Sequence, residues 1–502
     1  VATPDQLVQG TPWWWLARLE GKLNARLPAL QLPADYFAGK HRLLFATEKF
    51  RKAFGEMFKG YKSNWCKIVV KASEERLNPL GFRLDADGDQ ETGSAEEKLG
   101  RGDKDAWLFW QANQLDAASK MLFTEAIKVS EASLLVWAGP RDGIPQITVE
   151  SATQMITDVD PGTRQRRAAL KVWQDDWGSV FATLYLPEGI FKFEAVDLGA
   201  QMLWTPSSQD VLSSLLGRNW RAREVPGETW PLNNPLGVVP VVPIYNDPQL
   251  LPLDGLGGIS DLADVIPQQD AINKLLVDML VASEFTAFRQ RWATGLELPT
   301  DPESGQPLPQ AYEMVFDRLL MSKNSESRFG TFEATDLNNY VVAVREHVAE
   351  MASQTRTPPH YFQQPSGQFP SGESIKSAET GLVAKSVEKQ TYFGEGLEEA
   401  IRLAFAVIGS PKAEAISMET IWGDPESRSE SQHIDALVKM KDLGLPEELL
   451  WEKAGLSPQE ISRAKAMREE EAQLRRENPE LFPEVPQPQQ PGQEEEPAAA
   501  AQ

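Results

Sequence analysis

The sequence predicts an α+β fold, mostly helical, and three observations carry that reading. Helical periodicity dominates both ends of the chain, and short β-type runs fill the stretch between about residues 133 and 196. Two strongly helical segments are separated by QTRTPPHYFQQPSGQFPSGES (354–374), a connection about twice as long as a plain helix–helix turn needs. Such a connection is either disordered or used.

The elements follow in order. From Trp13 to about Trp65 the text is helical and amphipathic, first LARLEGKLNARLPALQ and then HRLLFATEKFRKAFGEMFK. A polar, acidic, Gly-containing linker is expected from Arg83 to Asp105, and a second helical stretch, DAWLFWQANQLDAASKMLFTEAIKVS, follows it. Then the period changes. SLLVW, QITVE, RAALKVW, FATLYL and IFKFEAV read as strands of five to seven residues, with turns at AGPRDG, QDDWG and PEG and a polar loop after QITVE. The prolines of NNPLGVVPVVPIYN suit an edge strand or an extended link better than a central strand, because each removes a ladder donor.

After GLGGIS a helix is expected from Asp261, an N-terminal acid, through Leu262, Val265, Ile266, Ile272, Leu276, Met279, Val281, Phe285 and Phe288. It would run for about thirty residues, roughly 45 Å. A compact loop–strand–loop–strand segment leads to a second helix from near Asp336 to Thr355. Pro358 and Pro359 end that helix, since proline lacks the amide donor and disfavours helical geometry in the residue before it. A long helix is expected from Ser371, its cap, to Ile408, with Gly381, Gly394 and Gly396 as sites for kinks. A small helical region begins near Ser429, and the Pro-, Gln- and Glu-rich end cannot bury a core and reads as a disordered tail.

Composition narrows function. The apolar share of 41% is that of an ordinary soluble protein, and no run is long and apolar enough for a transmembrane helix. One cysteine, Cys66, excludes an intrachain disulfide framework and fits a reducing compartment. A soluble, intracellularly made product is expected. The net charge of −23 counts against a protein that clamps nucleic acid, because such proteins gain affinity by neutralising phosphates. It does not count against a conduit through which DNA slides.

Chemical motifs are mostly absent. There is no G-x-x-x-x-G-K-[ST] phosphate loop, G-x-S-x-G, H-E-x-x-H or paired C-x-x-C. His41, His347, His360 and His433 are scattered and read as structural or surface residues. DADGDQETGSAEE (85–97) offers Asp85, Asp87, Asp89 and Glu96 at calcium-loop offsets, but Gln90 stands where the turn needs Gly, so a solvated linker is the better reading. The clusters at Trp13–Trp15, Trp107 and Trp110 read as packing or subunit-contact residues, since no basic groove accompanies them. No catalytic site and no cofactor or metal is expected.

In their joint order, ADYFAGKHRLLFATEKFRKAF, WQANQLDAASKMLFTEAI, NNPLGVVPVVPIYN, GGISDLADVIPQQDAINKLLVDMLVASEFTAFRQRWATG, ASQTRTPPHYF and SGESIKSAETGLVAK resemble the portal proteins of tailed bacteriophages, particularly those of phages infecting actinobacteria. The resemblance covers nearly the whole chain. It implies a portal-protein fold and a homo-oligomeric ring, usually a dodecamer, at one capsid vertex of the virion. Double-stranded DNA would pass through the ring in packaging and ejection. The implied partners are the major capsid protein, the terminase large subunit and a head–tail adaptor, with assembly in the host cytoplasm and no membrane. The chain would not be an enzyme.

In those terms residues 1–258 look like the wing, 259–290 and 335–355 like stem helices, and 291–334 like the clip. Residues 356–371 look like the tunnel loop, 372–424 like the long kinked helix returning to the wing, 425–476 like the crown, and 477–502 is the acidic tail. The resemblance makes Pro358, Pro359, His360, Tyr361, Gln363, Gln364, Ser366, Gln368 and Lys376 candidate channel-loop residues. It makes Glu297, Asp301, Glu303, Arg318, Lys323 and Arg328 candidates for docking an adaptor or the terminase. Lys376, His360, Arg318, Lys323 and Arg328 would supply weak DNA contacts, or simply be solvated or pair with acidic neighbours. Two other classes remain: a different virion structural protein without a DNA channel, and an enzyme with a cryptic site.

Overall fold

The computed structural model describes residues 8–42, 63–85, 103–141, 143–196, 219–250, 255–287, 291–294, 328–331, 336–362, 372–426, 430–456 and 458–477, with positions 48, 52 and 326 besides. It is an α+β protein.

Helix α1 (Pro12–Phe37) starts where Thr11 Oγ1 accepts from the Trp14 amide at 3.3 Å and Pro12 supplies a preset φ. Its Leu16, Leu19 and Leu23, one helical stripe, are buried on an antiparallel sheet. That sheet runs in the order β4 (Met155–Val159), β5 (Arg166–Gln174), β6 (Val180–Tyr185), β7 (Gly189–Ala195) and β8 (Trp220–Ala222), with β9 (Leu232–Asn233) paired to β7. Inward residues Ile156, Leu170, Val172, Ala182, Leu184 and Phe193 complete this core. Strand β4 lies in the stretch expected to be a polar loop. The salt-bridged Asp158 explains the polar look of MITDV: its partners are Lys22 on α1 and Arg167, whose Nη2 approaches to 2.5 Å.

A second, larger core joins most of the remaining chain. It gathers α2 (Cys66–Glu74), α3 (Lys104–Ala112) and α4 (Leu115–Val129) around the sheet β10–β2–β3. In that sheet β2 (Glu131–Arg141) is central, β3 (Ile144–Ser151) lies on one side and β10 (Val241–Tyr245) forms the other edge, as its prolines predicted. Trp107 and Trp110 are buried and stacked with ring centroids 5.9 Å apart, so they are packing residues.

Strand β1 (Pro79–Asp85) pairs antiparallel with β13 (Ser417–Trp422); the expected linker takes in only the end of β1, from Arg83, and β13 lies in the 372–424 segment beyond the helix expected to end at Ile408. Residues 86–102, with most of the calcium-loop candidate, lie outside the described residues. Among the described residues no cluster of three or more metal-ligating side chains occurs, and no helix is long and apolar enough to cross a membrane.

Helices α5 (Val265–Ala287) and α6 (Asn338–Gln354) pack against each other. Between them β11 (Arg291–Thr294) and β12 (Arg328–Thr331) form a two-stranded antiparallel ribbon. Helix α5 begins later than expected because residues 261–264 form a turn and Asp261 is engaged elsewhere. Helix α7 (Gly372–Val407) is continuous through all three glycines. A Cβ added to Gly396 would lie 2.0 Å from Ile244 Cδ1, so this glycine serves close approach to β10 rather than a kink. Beyond β13 come α8 (Glu430–Asp442), α9 (Glu447–Lys453) and α10 (Pro458–Glu477).

Candidate functional site

The long connection after α6 begins in a built junction. The helix ends at Gln354, before the prolines, and Thr355 closes it by donating its hydroxyl to Met351 O at 2.8 Å, with the Thr357 hydroxyl hydrogen-bonded to Thr355 Oγ1 at 2.9 Å. Arg356 then adopts φ +53°, the left-handed conformation that reverses a chain at a helix end. Its guanidinium meets Glu388 of α7 at 3.1 Å. Pro358 is buried, Pro359 is exposed, and Pro359–Tyr361 form one 3₁₀ turn.

The next side chains are held by the larger core. Arg76, after α2, donates to Tyr361 Oη at 3.2 Å, to Pro425 O at 2.5 Å, and pairs with Glu379 of α7 at 3.2 Å. His360 Nε2 stands 3.5 Å from the same Glu379 carboxylate, and its ring lies 5.0 Å from that of Tyr361. Phe362 is buried beside Trp65, with ring centroids 5.9 Å apart. Four consecutive residues of the connection, Pro359 to Phe362, are therefore fixed before it departs. Gln363, Gln364, Ser366 and Gln368 lie outside the described residues, as does Ser371, the expected cap. Lys376 is half-buried in the opening turns of α7.

A charged cluster lies behind this junction. Lys385 Nζ and Lys389 Nζ, one turn apart on α7, each approach Asp261 at 2.8 Å. Lys385 also donates to Thr355 O at 3.1 Å, which ties the end of α6 into the same cluster. Asn246, after β10, accepts from Lys389 and donates to Asp261 Oδ1 at 2.9 Å. Burial alone would raise the Asp261 carboxyl, but the Lys389 and Lys385 ammonium groups outweigh it and hold the carboxyl well below the usual range. One carboxylate thus joins β10, the start of α5, the end of α6 and α7.

The start of α5 is also tied by further hydrogen bonds. Gln269 accepts from the Trp65 amide at 2.9 Å and donates to Ser63 O at 2.8 Å. Tyr36 Oη donates to Asp270 at 2.5 Å. Burial pushes the nearby Cys66 thiol up to about 12, so it stays a protonated core residue.

Of the docking candidates, Arg328 is exposed in β12, whereas Glu297, Asp301, Glu303, Arg318 and Lys323 lie outside the described residues. Sequence reasoning missed Arg76, Glu379, Asp261, Lys385 and Lys389. One signal was present. Leu382, Ser386, Lys389, Phe393 and Leu397 form the buried stripe of α7, and a lysine on such a stripe demands a partner.

Residues 16–474 match the family described as phage portal protein, SPP1 Gp6-like, and the chain belongs to that family. Among individual proteins it is 28% identical to the portal protein of Mycobacterium phage D29 over 425 residues, covering 81% of this chain and 79% of that protein. It is 29% identical to the portal protein of Mycobacterium phage L5 over 426 residues, with the same coverage.

Proposed function

We propose that this chain is the repeating subunit of a portal ring, a dodecamer at one capsid vertex, through which double-stranded DNA is packaged and ejected. The observation that carries this reading is the family match along almost the whole described chain. Residues 1–258 act as the wing, α5 and α6 as the stem, and 291–334 as the clip. Residues 425–476 act as the crown facing the capsid interior.

Two physical features support the ring. Aliphatic residues of α5 remain half-exposed in the isolated chain, and the same helices of neighbouring subunits would cover them. The acidic balance disfavours lasting phosphate contacts, so DNA slides instead of sticking. The sequence carries no phosphate-binding loop, so packaging energy comes from a terminase motor docked at the clip. Glu297, Asp301, Glu303, Arg318, Lys323 and Arg328 serve that docking or the binding of an adaptor.

Residues 356–371 are the tunnel loop. Its first part, Pro359 to Phe362, is anchored, so any force on the loop is passed to Arg76, Glu379 and α7. Deleting Gln363–Gln368 should leave rings and empty capsids intact while DNA retention fails. Packaged DNA per particle measures this, and wild-type amounts, stably held, would overturn the loop's role. Negative-stain images of the purified protein test the larger claim: closed rings are expected, and their absence would overturn it.

A further inference from the structure

We infer that neighbouring copies of this chain join through an aromatic knob at one end of strand β5 and a cationic, aromatic socket at the other. The knob is Trp177, 88% exposed at the tip of the β5–β6 turn. An exposed indole on a mobile loop would mean little, but this turn is locked. Asp175 Oδ1 accepts from the amides of Trp177 at 3.0 Å and Ser179 at 2.7 Å. Gly178 takes φ +87°, and its carbonyl accepts from Gln174 Nε2 at 3.0 Å. The backbone that carries the indole is fixed, and the next residue back, Asp176, is exposed too.

The socket is a cavity of about 200 Å³ lined by Gln9, Gly10, Trp14, Trp15, Arg18 and Arg167 at the start of α1. Arg18 lies 5.2 Å from the Trp14 ring and Arg167 lies 5.7 Å from the Trp15 ring. Arg167 is already held by Asp158 and Asp160, while Arg18 is solvent-exposed. The opening therefore offers aromatic walls and one outward cation, which matches an indole flanked by a carboxylate. The size also suits a single large aromatic side chain.

The two patches cannot meet within one chain. Arg167 and Gln174 are seven residues apart on a continuous strand, about 23 Å at strand rise, and Trp177 lies beyond that. A patch and its complement at opposite ends of one rigid element is the arrangement a head-to-tail ring requires. The inference rests on the ring reading and adds to it a specific wing-to-wing contact.

The test uses full-length chains. Cys66 is buried, so a thiol reagent finds mainly introduced cysteines. A Gln9→Cys chain and a Ser179→Cys chain are co-assembled and treated with a short bis-maleimide. A covalent dimer is expected from the mixture and not from either variant alone. Trp177→Ala should raise the protein concentration needed for half-assembly by about tenfold or more, as removal of an interface anchor does, with an unchanged monomer melting temperature. Arg18→Glu should act in the same direction, and adding Asp176→Arg should restore assembly. Rings that form without the cross-link, or at unchanged concentration in Trp177→Ala, would overturn the knob and socket while leaving the portal reading intact. No rings from the unaltered chain would overturn the portal reading first and this contact with it.

Discussion

Helices α1 and α5 are both long and rich in aliphatic residues, yet α5 is covered much less completely toward its end. In α1 the leucines at 16, 19, 23 and 30 are at most 2% exposed, covered by the chain's own sheet and neighbouring elements. In α5 the start is held by Asp261, Gln269 and Asp270, but Leu275, Leu276, Met279, Leu280 and Val281 stay half-buried although α6 lies alongside. A two-helix pair cannot surround its own apolar residues, whereas a helix on a sheet can bury a full stripe. If neighbouring chains cover α5, as proposed above, burial in one chain separates what holds that chain together from what is left for its neighbours.

The comparison is broken most severely at the root of α5. Asp261→Ala would leave Lys385 and Lys389 facing each other in the interior. Breaking a buried ion pair in this way costs about 3–5 kcal/mol. Thermal unfolding should register the loss, and a midpoint within a degree of wild type would show that the cluster is dispensable. The pH dependence has a defined sign. The ordinary carboxyl value is 3.8, and the folded value lies below it, so ionised Asp261 favours the folded state. That contribution is complete above the ordinary value and is lost as pH falls through the lower, folded one. Asp261→Asn should flatten the acid limb of the stability profile, and an unaltered limb would contradict the assignment.

On the other side, Leu23→Ala in α1 should cost about 2–5 kcal/mol through lost burial and the cavity left behind. The loss should appear in the monomer and be independent of protein concentration. Glu379→Gln acts at the junction between the two regimes. It keeps the shape but removes the carboxylate that Arg76 and His360 share, for an expected cost of about 1–3 kcal/mol. Proteolysis after Phe362 should become faster in this variant, and an unchanged rate would show that the root of the connection is held by packing alone.

Much of this contrast was legible in the sequence where a period carried it. The leucine spacing of α1 and the near-helical spacing of α5 identified both helices, and the prolines of 233–246 identified an edge strand. Long-range pairing was not legible. Strand β1 meets β13 across more than three hundred residues, and Arg83 opposite Glu419 gives the end of β1 a polar look that local patterning reads as the start of a linker. Asp261 looked like a helix-starting acid because acids do favour that position. Its real partners lie on α7, and only the lysine in the buried stripe hinted at them. The site was legible as a broken helical pair but not as an anchorage, because Arg76 and Glu379 become neighbours only once the core has formed.

The smallest expected effect on the subunit sharpens the comparison most. Leu280 is half-buried on α5, beyond the part tied to the core. Leu280→Ala removes apolar surface that the single chain covers incompletely, so the monomer should lose no more than about 1 kcal/mol. If neighbouring stem helices cover that surface, the same truncation is multiplied around the ring, since every subunit loses it at each contact. Dilution of the variant should therefore dissociate rings at concentrations where wild-type rings persist, while the monomer melts normally. Leu23→Ala should do the reverse, lowering the melting point with assembly affected only through the unfolded fraction. Native mass spectrometry across a dilution series, paired with monomer melting curves, separates the two. Equal effects of the two variants on both measurements would mean that burial within one chain does not distinguish folding residues from assembly residues here.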